Sequence, residues 1–562
     1  MKLSTNIMDS SPTSIMPTAP KPAPTPFPEV DESTLRSFGD ATTTRRNIYD
    51  NVFNTLNTLE PVANQTHTLR LSGVKWQDPD KFTKRQRKEA QLTGRTLARR
   101  VRGTWELMDN ASGKVIDSRE QVIMRVPHLT NSGTFVHNGN EYAVKNQQRL
   151  RAGVYARKKD NGEIESHANV LNGGSSHRYF MDPAKGVFYG KFGGAKVPLL
   201  PLLGAMGASE DEIRKAWGKE IYAANYSKKD GGALKKLATK LLSQKVIDEH
   251  DGKIPAALKA KFEGMEIDPD VAEHTLGKNF SRLDKDAMLA ATAKLLKISR
   301  GEAETDDRDQ LAYQTFHGIE DLLSERIQKD RAGVRRQLLF KMTDKQSLKN
   351  MPSSALQKQL ESALLESGLG LHLEQINPAE ILDKQSQISR LGEGGIPSVQ
   401  AVPDEARNVQ SSHLGFMDPL RTPESFRAGV DVHLAYNSRK GKDGNLYSQF
   451  IDQKSGKKVW RTPQQLKKMT VAFPGSMSPR KADIPEGMDD TAKEAYQRIY
   501  SGRPKPEDAA VLKMYQNLAK PSAGRVPAMK NGKMTYVKRS DCLLYTSPSP
   551  RDATLSRMPS SA

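Results

Sequence analysis

Residues 411–434, SSHLGFMDPLRTPESFRAGVDVHL, set turn formers and alternating charges between apolar residues, and the rest of the chain is best read outward from them. Pro419 and Pro423 fix φ and donate nothing to a ladder, while Gly415 and Gly429 permit backbone conformations barred to other residues. The stretch is therefore neither a regular helix nor a central strand. Its shape is set by turns. Arg421, Glu424 and Arg427 follow one another at intervals of three across the Thr422-Pro423 turn, so alternating charge sits on a constrained backbone. A solvated surface turn accounts for that pattern as well as a functional loop does.

Two further stretches carry local chemistry. Leu371 to Ile396, LHLEQINPAEILDKQSQISRLGEGGI, reads by spacing as a helix with a glycine C-terminus. Its Gln375 and Asn377 can bond phosphate or sugar, and Gly392, Gly394 and Gly395 allow a nucleic acid to approach the backbone closely. Gln121 to Tyr155, QVIMRVPHLTNSGTFVHNGNEYAVKNQQRLRAGVY, alternates apolar and polar residues at Val122, Met124 and Val126. It then turns at Asn131-Ser132-Gly133, extends at Phe135-Val136, turns again at Asn138-Gly139 and returns at Tyr142-Ala143-Val144. A bare β-hairpin explains that periodicity in full.

In collinear order these stretches resemble motifs of the β (second-largest) subunit of multisubunit DNA-directed RNA polymerases. In the first, His413, Gly415, Pro419, Thr422, Pro423, Glu424 and Gly429 match a His-Tyr-Gly-Arg-x-Cys-Pro-x-Glu-Thr-Pro-Glu-Gly-x-x-x-Gly motif without a gap. Asp418 replaces its Cys, Arg421 its first Glu, Ser425 the Gly after Glu424, and Arg427 a frequent Asn. The match over 371–396 runs through Gln375, Asn377, Pro378, Ser389, Leu391, Gly392, Gly394 and Gly395. Over 121–155 it runs through Pro127, Thr130, Gly133, Thr134, Phe135, Asn138, Gly139 and Glu141, extended by Gln147, Gly153 and Val154. There the family's Arg-Ser-Pro-Gly becomes Leu150-Arg151-Ala152-Gly153.

The resemblance implies an α+β, multidomain chain with protrusion, lobe and fork elements. Its expected divisions are a disordered Pro-rich leader over 1–35, a protrusion-like part over 36–160 and a lobe-like domain over 161–318. A protrusion return with a hybrid-facing, fork-like region follows over 319–400, then a fork/external-like region over 401–541. From about Cys542 the chain, CLLYTSPSPRDATLSRMPSSA, has no apolar periodicity and resembles translated adapter read-through, so 542–562 is expected to be non-native and the sequence to be a fragment.

Composition agrees with a nucleic-acid partner. With 86 Lys+Arg against 66 Asp+Glu the formal charge is +20, which suits a polyanion because neutralising phosphates releases counterions. A basic soluble surface with no such partner has the same composition. Within the chain the densest run is Lys81 to Arg102. Aromatic residues make up 6%, so widespread base stacking is not indicated. The single cysteine excludes an internal disulfide or a thiolate zinc site. No apolar run approaches the roughly 20 residues needed to cross a bilayer, and a cytoplasmic location, or the host cytoplasm or virion for a phage gene, is expected. The motif departures and a compact lobe point to a viral, phage-encoded gene.

Between the motifs, Asp40 to Leu56 has an apolar stripe wide enough only for a surface helix, and Thr66 to Trp76 alternates as a strand. Ser209 caps a helix with Glu210, Asp211 and Glu212 in its first turn. Ile319 to Met342 is amphipathic, with Leu322, Leu323, Ile327, Val334, Leu338 and Leu339 inward and Arg326, Lys329, Arg331, Arg335 and Arg336 outward. Asp306, Asp307 and Asp309 could suit a hard cation, though such clusters are more often solvated turns.

What the resemblance implies for the site is a wall rather than a catalytic centre. Gln375, Asn377, Ser389, Arg390, Arg421, Glu424, Arg427, Arg149 and Arg151 would face the RNA–DNA hybrid and the DNA. The resemblance places no catalytic residue and no metal ligand in this chain. Magnesium would be held by a partner β′ subunit, and the residues contacting the NTP would lie beyond 541. The rival reading is a non-catalytic nucleic-acid-binding or virion-associated protein that retains the fold. In bacterial relatives the second stretch also forms the rifamycin pocket, whose equivalents here would be His372, Glu374, Lys384, Gln387, Ser389 and Asp431.

Overall fold

The computed structural model describes residues 27–546 except 160, 172–175, 227–231, 243, 330, 344–346, 355, 374–377, 453–456, 473–486, 501–504, 509, 512–524, 531–532 and 539–543. Three hydrophobic cores organise these residues. In the first, Asp40 caps the helix Ala41–Asn57 by accepting from the Thr42 and Thr43 amides at 3.1 Å. Ile48, Val52 and Leu56 recur every four residues on it and are buried to within 1% of full exclusion from solvent. Burial of each stabilises by about 1.5–3 kcal/mol relative to exposure. They pack on the antiparallel sheet Val62–Ala63, His67–Trp76, Ala98–Asp109, Val115–Pro127. The same core receives Leu323, Ile327, Leu339 and Leu360 from beyond residue 318. The chain thus leaves this unit and returns to it. The expected surface helix over 40–56 is corrected by that return, because Ile319–Lys329 covers a face that would otherwise meet water.

The return is also not one helix. Ile319–Lys329 and Arg331–Thr343 are separate, and Arg335, expected outward, is 3% exposed and donates to the Glu60 carbonyl. An arginine in the inner stripe is tolerated because a backbone acceptor satisfies it. Among the outward residues, Lys329 and Arg331 have side chains outside the described set.

The second core begins at Val154, earlier than the boundary expected between 160 and 161, because Gly153–Lys158 pairs with Ile164–Asn169 in one hairpin. Five strands in the order Ala195–Pro198, Val187–Phe192, His177–Asp182, Ile164–Asn169, Gly153–Lys158 carry helices on one face, ending with Lys285–Ser299. Ser209 caps Glu210–Trp217 as expected, in a capping box with Glu212.

The third core joins Phe316, Ile388, Phe416, Leu434 and Phe450 beneath two sheets. One has five strands. The other has eight, among them Leu446–Asp452, Thr470–Ala472 and the hairpin Arg525–Lys530/Lys533–Lys538. Both ends of the described residues pack in this region. Phe27 packs against the third core and Asp31 caps the turn Glu32–Thr34, so the last part of the expected 1–35 leader is packed, while 1–26 lies outside the described residues. Leu544–Thr546, inside the span 542–562 expected to be non-native, is a strand between Leu446–Asp452 and Thr470–Ala472. Backbone pairing asks for no apolar periodicity, so the sequence pattern is silent there.

Candidate nucleic-acid interface

The three motif stretches, far apart in sequence, meet in the five-stranded sheet. Its order is Gln314–His317, Asn146–Leu150, Gln387–Ser389, Asp431–Leu434, Met417–Asp418. Asn146–Leu150 runs parallel to Gln387–Ser389 and the other pairs are antiparallel. The second stretch is therefore not a single helix with a glycine end: it forms a strand at Gly370–His372, the helix Pro378–Gln385 and the central strand Gln387–Ser389.

Turns do set the loop between Met417–Asp418 and Asp431–Leu434. Thr422 Oγ1 accepts from the Gly429 amide at 2.8 Å and donates to the Asp431 carbonyl at 2.9 Å, closing the loop on itself. Gly429 has φ +70°, and a Cβ there would stand 2.3 Å from the Arg407 carbonyl, so only glycine fits. Ser425 has φ 110°, a conformation that suits the glycine found at the matching position of the resembling motif.

The arginines expected along a phosphate path are tied internally. Arg149 donates to Gln147 Oε1 at 2.6 Å, to Glu325 Oε2 at 2.6 Å and to the Glu393 carbonyl at 2.8 Å. The glycines after Leu391 make room for that arginine: a Cβ on Gly394 would lie 2.6 Å from its Cζ. Arg151 pairs with Asp268 at 2.6 Å and Arg390 with Asp309 at 2.8 Å, and the side chains of all three arginines are mostly buried, with 12%, 14% and 7% exposed. Arg421 pairs with Asp383 at 2.5 Å and Arg427 with Asp431 at 3.2 Å, but their side chains remain 41% and 38% exposed. Glu424 is exposed beside them. Ser389 is buried, and its Oγ accepts from the Leu391 amide at 3.2 Å. Gln375, Asn377 and Glu374 lie outside the described residues.

Of the remaining rifamycin-pocket equivalents, His372 is exposed and stands edge-on to Tyr142 at 5.6 Å. Lys384 faces Glu380 at 3.5 Å, and Gln387 is 4% exposed. Asp431 is buried among partners. Lys145 Nζ lies 2.6 Å from its Oδ2, and despite the opposing effect of burial these contacts hold its carboxyl below the usual value. Asp306, Asp307 and Asp309 diverge rather than converge. Asp306 binds Lys294 at 2.6 Å, Asp307 accepts from Gln410 at 3.3 Å, and Asp309 takes Arg390. Among the described residues no group of three or more His, Cys, Asp or Glu is placed to share a metal ion.

The run Lys81 to Arg102 divides by partner. Arg87 pairs with buried Glu141, Arg100 with Asp78 at 2.6 Å, and Arg99 lies over the Tyr49 and Trp76 rings at 4.9 and 4.2 Å. Lys81, Lys84, Arg85, Lys88 and Arg95 remain exposed on and around the helix Lys84–Leu92. Sequence reasoning did not identify Lys145, Asp383, Asp309 or Glu325 as partners. Each contact spans dozens to hundreds of residues, and no local pattern encodes it.

Residues 371–439 match the family model described as RNA polymerase Rpb2, domain 3. The chain is also similar to proteins named DNA-directed RNA polymerase subunit beta. It is 28% identical to that of Cyanidioschyzon merolae over 60% of this chain and 35% of the relative. It is 26% identical to those of Prochlorococcus marinus, over 72% and 39%, and Synechococcus elongatus, over 75% and 41%. The chain spans less than half the length of these relatives, and they lend no support to the phage origin read from the motif departures. It is a divergent relative of the β subunit, with the α+β, multidomain organisation expected. Among the described residues no helix is long and apolar enough to cross a membrane.

Proposed function

We propose that this chain, as a divergent relative of β subunits, forms part of the wall of a transcribing enzyme's cleft and contacts an RNA–DNA hybrid and DNA through their phosphates. The observation that carries the reading is the convergence of three β-like stretches, 121–155, 371–396 and 411–434, in one sheet. A loop with two half-exposed arginines, Arg421 and Arg427, lies at its edge. Phosphate contact by such residues positions a nucleic acid without reading its sequence. The internal pairing of Arg149, Arg151 and Arg390 makes them props of this wall. Arg421 and Arg427, though paired, keep part of their surface in solvent to meet phosphate, and Lys81, Lys84, Arg85, Lys88 and Arg95 are exposed.

The reaction of such an assembly is nucleotidyl transfer, and magnesium, held by a β′-like partner rather than by this chain, would stabilise charge at the reacting phosphate. This chain would hold the hybrid in register and would synthesise no RNA alone. Co-expression of the full-length gene product with a β′-like partner tests the proposal. Template-dependent RNA synthesis by the complex, absent from either part, is expected. Synthesis by this chain alone, or a complex that assembles and never engages nucleic acid, would overturn it.

A further inference from the structure

We propose that Arg421 exchanges Asp383 for a phosphate when nucleic acid binds, and that His433 then takes Asp383 as an imidazolium, so that binding draws in a proton. The inference rests on the phosphate-contact reading of this loop and adds its regulation. Arg421 grips Asp383 with both terminal nitrogens, Nη1 at 2.5 Å from Oδ1 and Nη2 at 2.8 Å from Oδ2. A phosphate offers the same paired oxygens, so it competes with the carboxylate for one guanidinium. The side chains of Arg421 and Asp383 are 41% and 20% exposed, which lets the exchange take place at the surface.

Leaving Asp383 without a partner would be costly. His433 stands beside it on the strand Asp431–Leu434. Its Nε2 lies 3.3 Å from Asp383 Oδ2, buried and with no hydrogen-bond partner among the described residues. Its Nδ1 lies 3.2 Å from the Arg421 carbonyl, which only accepts, so the proton of the neutral ring sits on Nδ1. Nε2 can therefore donate to Asp383 only after the ring gains a second proton. Facing the ring are Asp383 from the helix Pro378–Gln385, Gln387 and Asp418 from the strands on either side and Arg421 from the loop. Two carboxylates stand against one guanidinium, and its departure favours the charged ring.

Arg427 provides the contrast. Its carboxylate, Asp431, holds Lys145 at 2.6 Å as well as Arg427 at 3.2 Å. Arg427 can leave for a phosphate without stranding a charge, and no proton is needed. Of the two arginines on one loop, only Arg421 makes a proton-linked contact.

Isothermal titration of the whole chain with an RNA–DNA hybrid at pH 7, in HEPES and in Tris, tests the exchange. The binding enthalpy is expected to differ between the buffers by an amount that reports net uptake of up to about one proton. By linkage the affinity falls as pH rises, by at most about tenfold per unit. His433→Gln, whose amide donates without a charge, is expected to bind within about three-fold of the parent with the uptake lost. Arg427→Ala should lower the salt dependence and keep the uptake. Salt-dependent binding with no proton uptake, or with uptake unchanged in His433→Gln, would overturn the exchange and leave the phosphate reading standing. Binding that is flat in salt would overturn both.

Discussion

Lys145 Nζ and Asp431 Oδ2 lie 2.6 Å apart with side chains 2% and 1% exposed, tying the end of the hairpin return to the strand that closes the loop. Arg427, 3.2 Å away and 38% exposed, gives Asp431 a second cation. Removing one partner strands a buried charge, so Lys145→Met is expected to destabilise by about 3–5 kcal/mol. Lys145→Met combined with Asp431→Leu should cost less than that single change. Urea midpoints of the set check this, and additive losses would show that the two side chains are not coupled.

Acid should weaken the same contact. The folded Asp431 carboxyl is held below its ordinary 3.8, through Lys145 first among the favourable contacts and against burial. Its contribution is therefore complete above that unfolded value and is lost as pH falls through the folded one.

Buried histidines act over a higher window. Burial brings His128, His167, His177 and His413 from 6.5 down to about 4. The unfolded chain takes up these protons below pH 6.5 and the folded chain does not. Stability is thus fully present above 6.5 and falls progressively toward pH 4, by up to about 3 kcal/mol per site. His177, among Phe192 and Phe262 with neither ring nitrogen bonded, offers the cleanest check. His177→Phe should flatten the melting temperature between pH 7 and 4.5, and an unaltered slope would contradict the assignment.

Ser425 sits at φ 110°, where a side chain costs energy that glycine avoids. Ser425→Gly is expected to stabilise by about 0.5–1 kcal/mol after the added freedom of the unfolded chain is counted. Thermal denaturation at matched pH reads the shift, and a loss of stability would mean that the serine side chain makes a contact worth more than the strain.

Periodicity made the hairpin at Asn138-Gly139, the Ser209 helix and the inward face of Ile319–Lys329 legible before any coordinates. Motif order made the three converging stretches recognisable as related. It did not reveal that Arg149, Arg151 and Arg390 are consumed by Glu325, Asp268 and Asp309, because charge patterning records residue types and not which distant carboxylate folds onto them. The pairing of Asp431 with Lys145 was hidden for the same reason. Lys145 closes a strand whose alternation marks only an inside and an outside, and its partner is 286 residues away.

An enzyme assembled from this chain and a β′-like partner is also expected to resist rifamycin. In sensitive relatives the resemblance implies an aromatic Phe against the drug with His and Arg contacts, whereas here exposed His372, Lys384 paired with Glu380, and buried Gln387 occupy the matching positions. Losing about 4 kcal/mol of contact corresponds to roughly a thousandfold in affinity. Transcription by the reconstituted enzyme should continue at nanomolar rifampicin, and arrest there would refute the match over 371–396.

The most direct test of the central claim is the salt dependence of binding between the purified chain and an RNA–DNA hybrid. Contact through phosphates predicts that log Kd rises steeply with log salt, by about 0.9 for each phosphate engaged, with little preference for sequence. Replacing Lys84, Arg85 and Lys88 by Glu, or Arg421 and Arg427 by Ala, should lower that slope by about one for each contact removed. Binding that is flat in salt, or a slope untouched by both sets of replacements, would contradict the reading of this chain as a wall that meets nucleic acid through its phosphates.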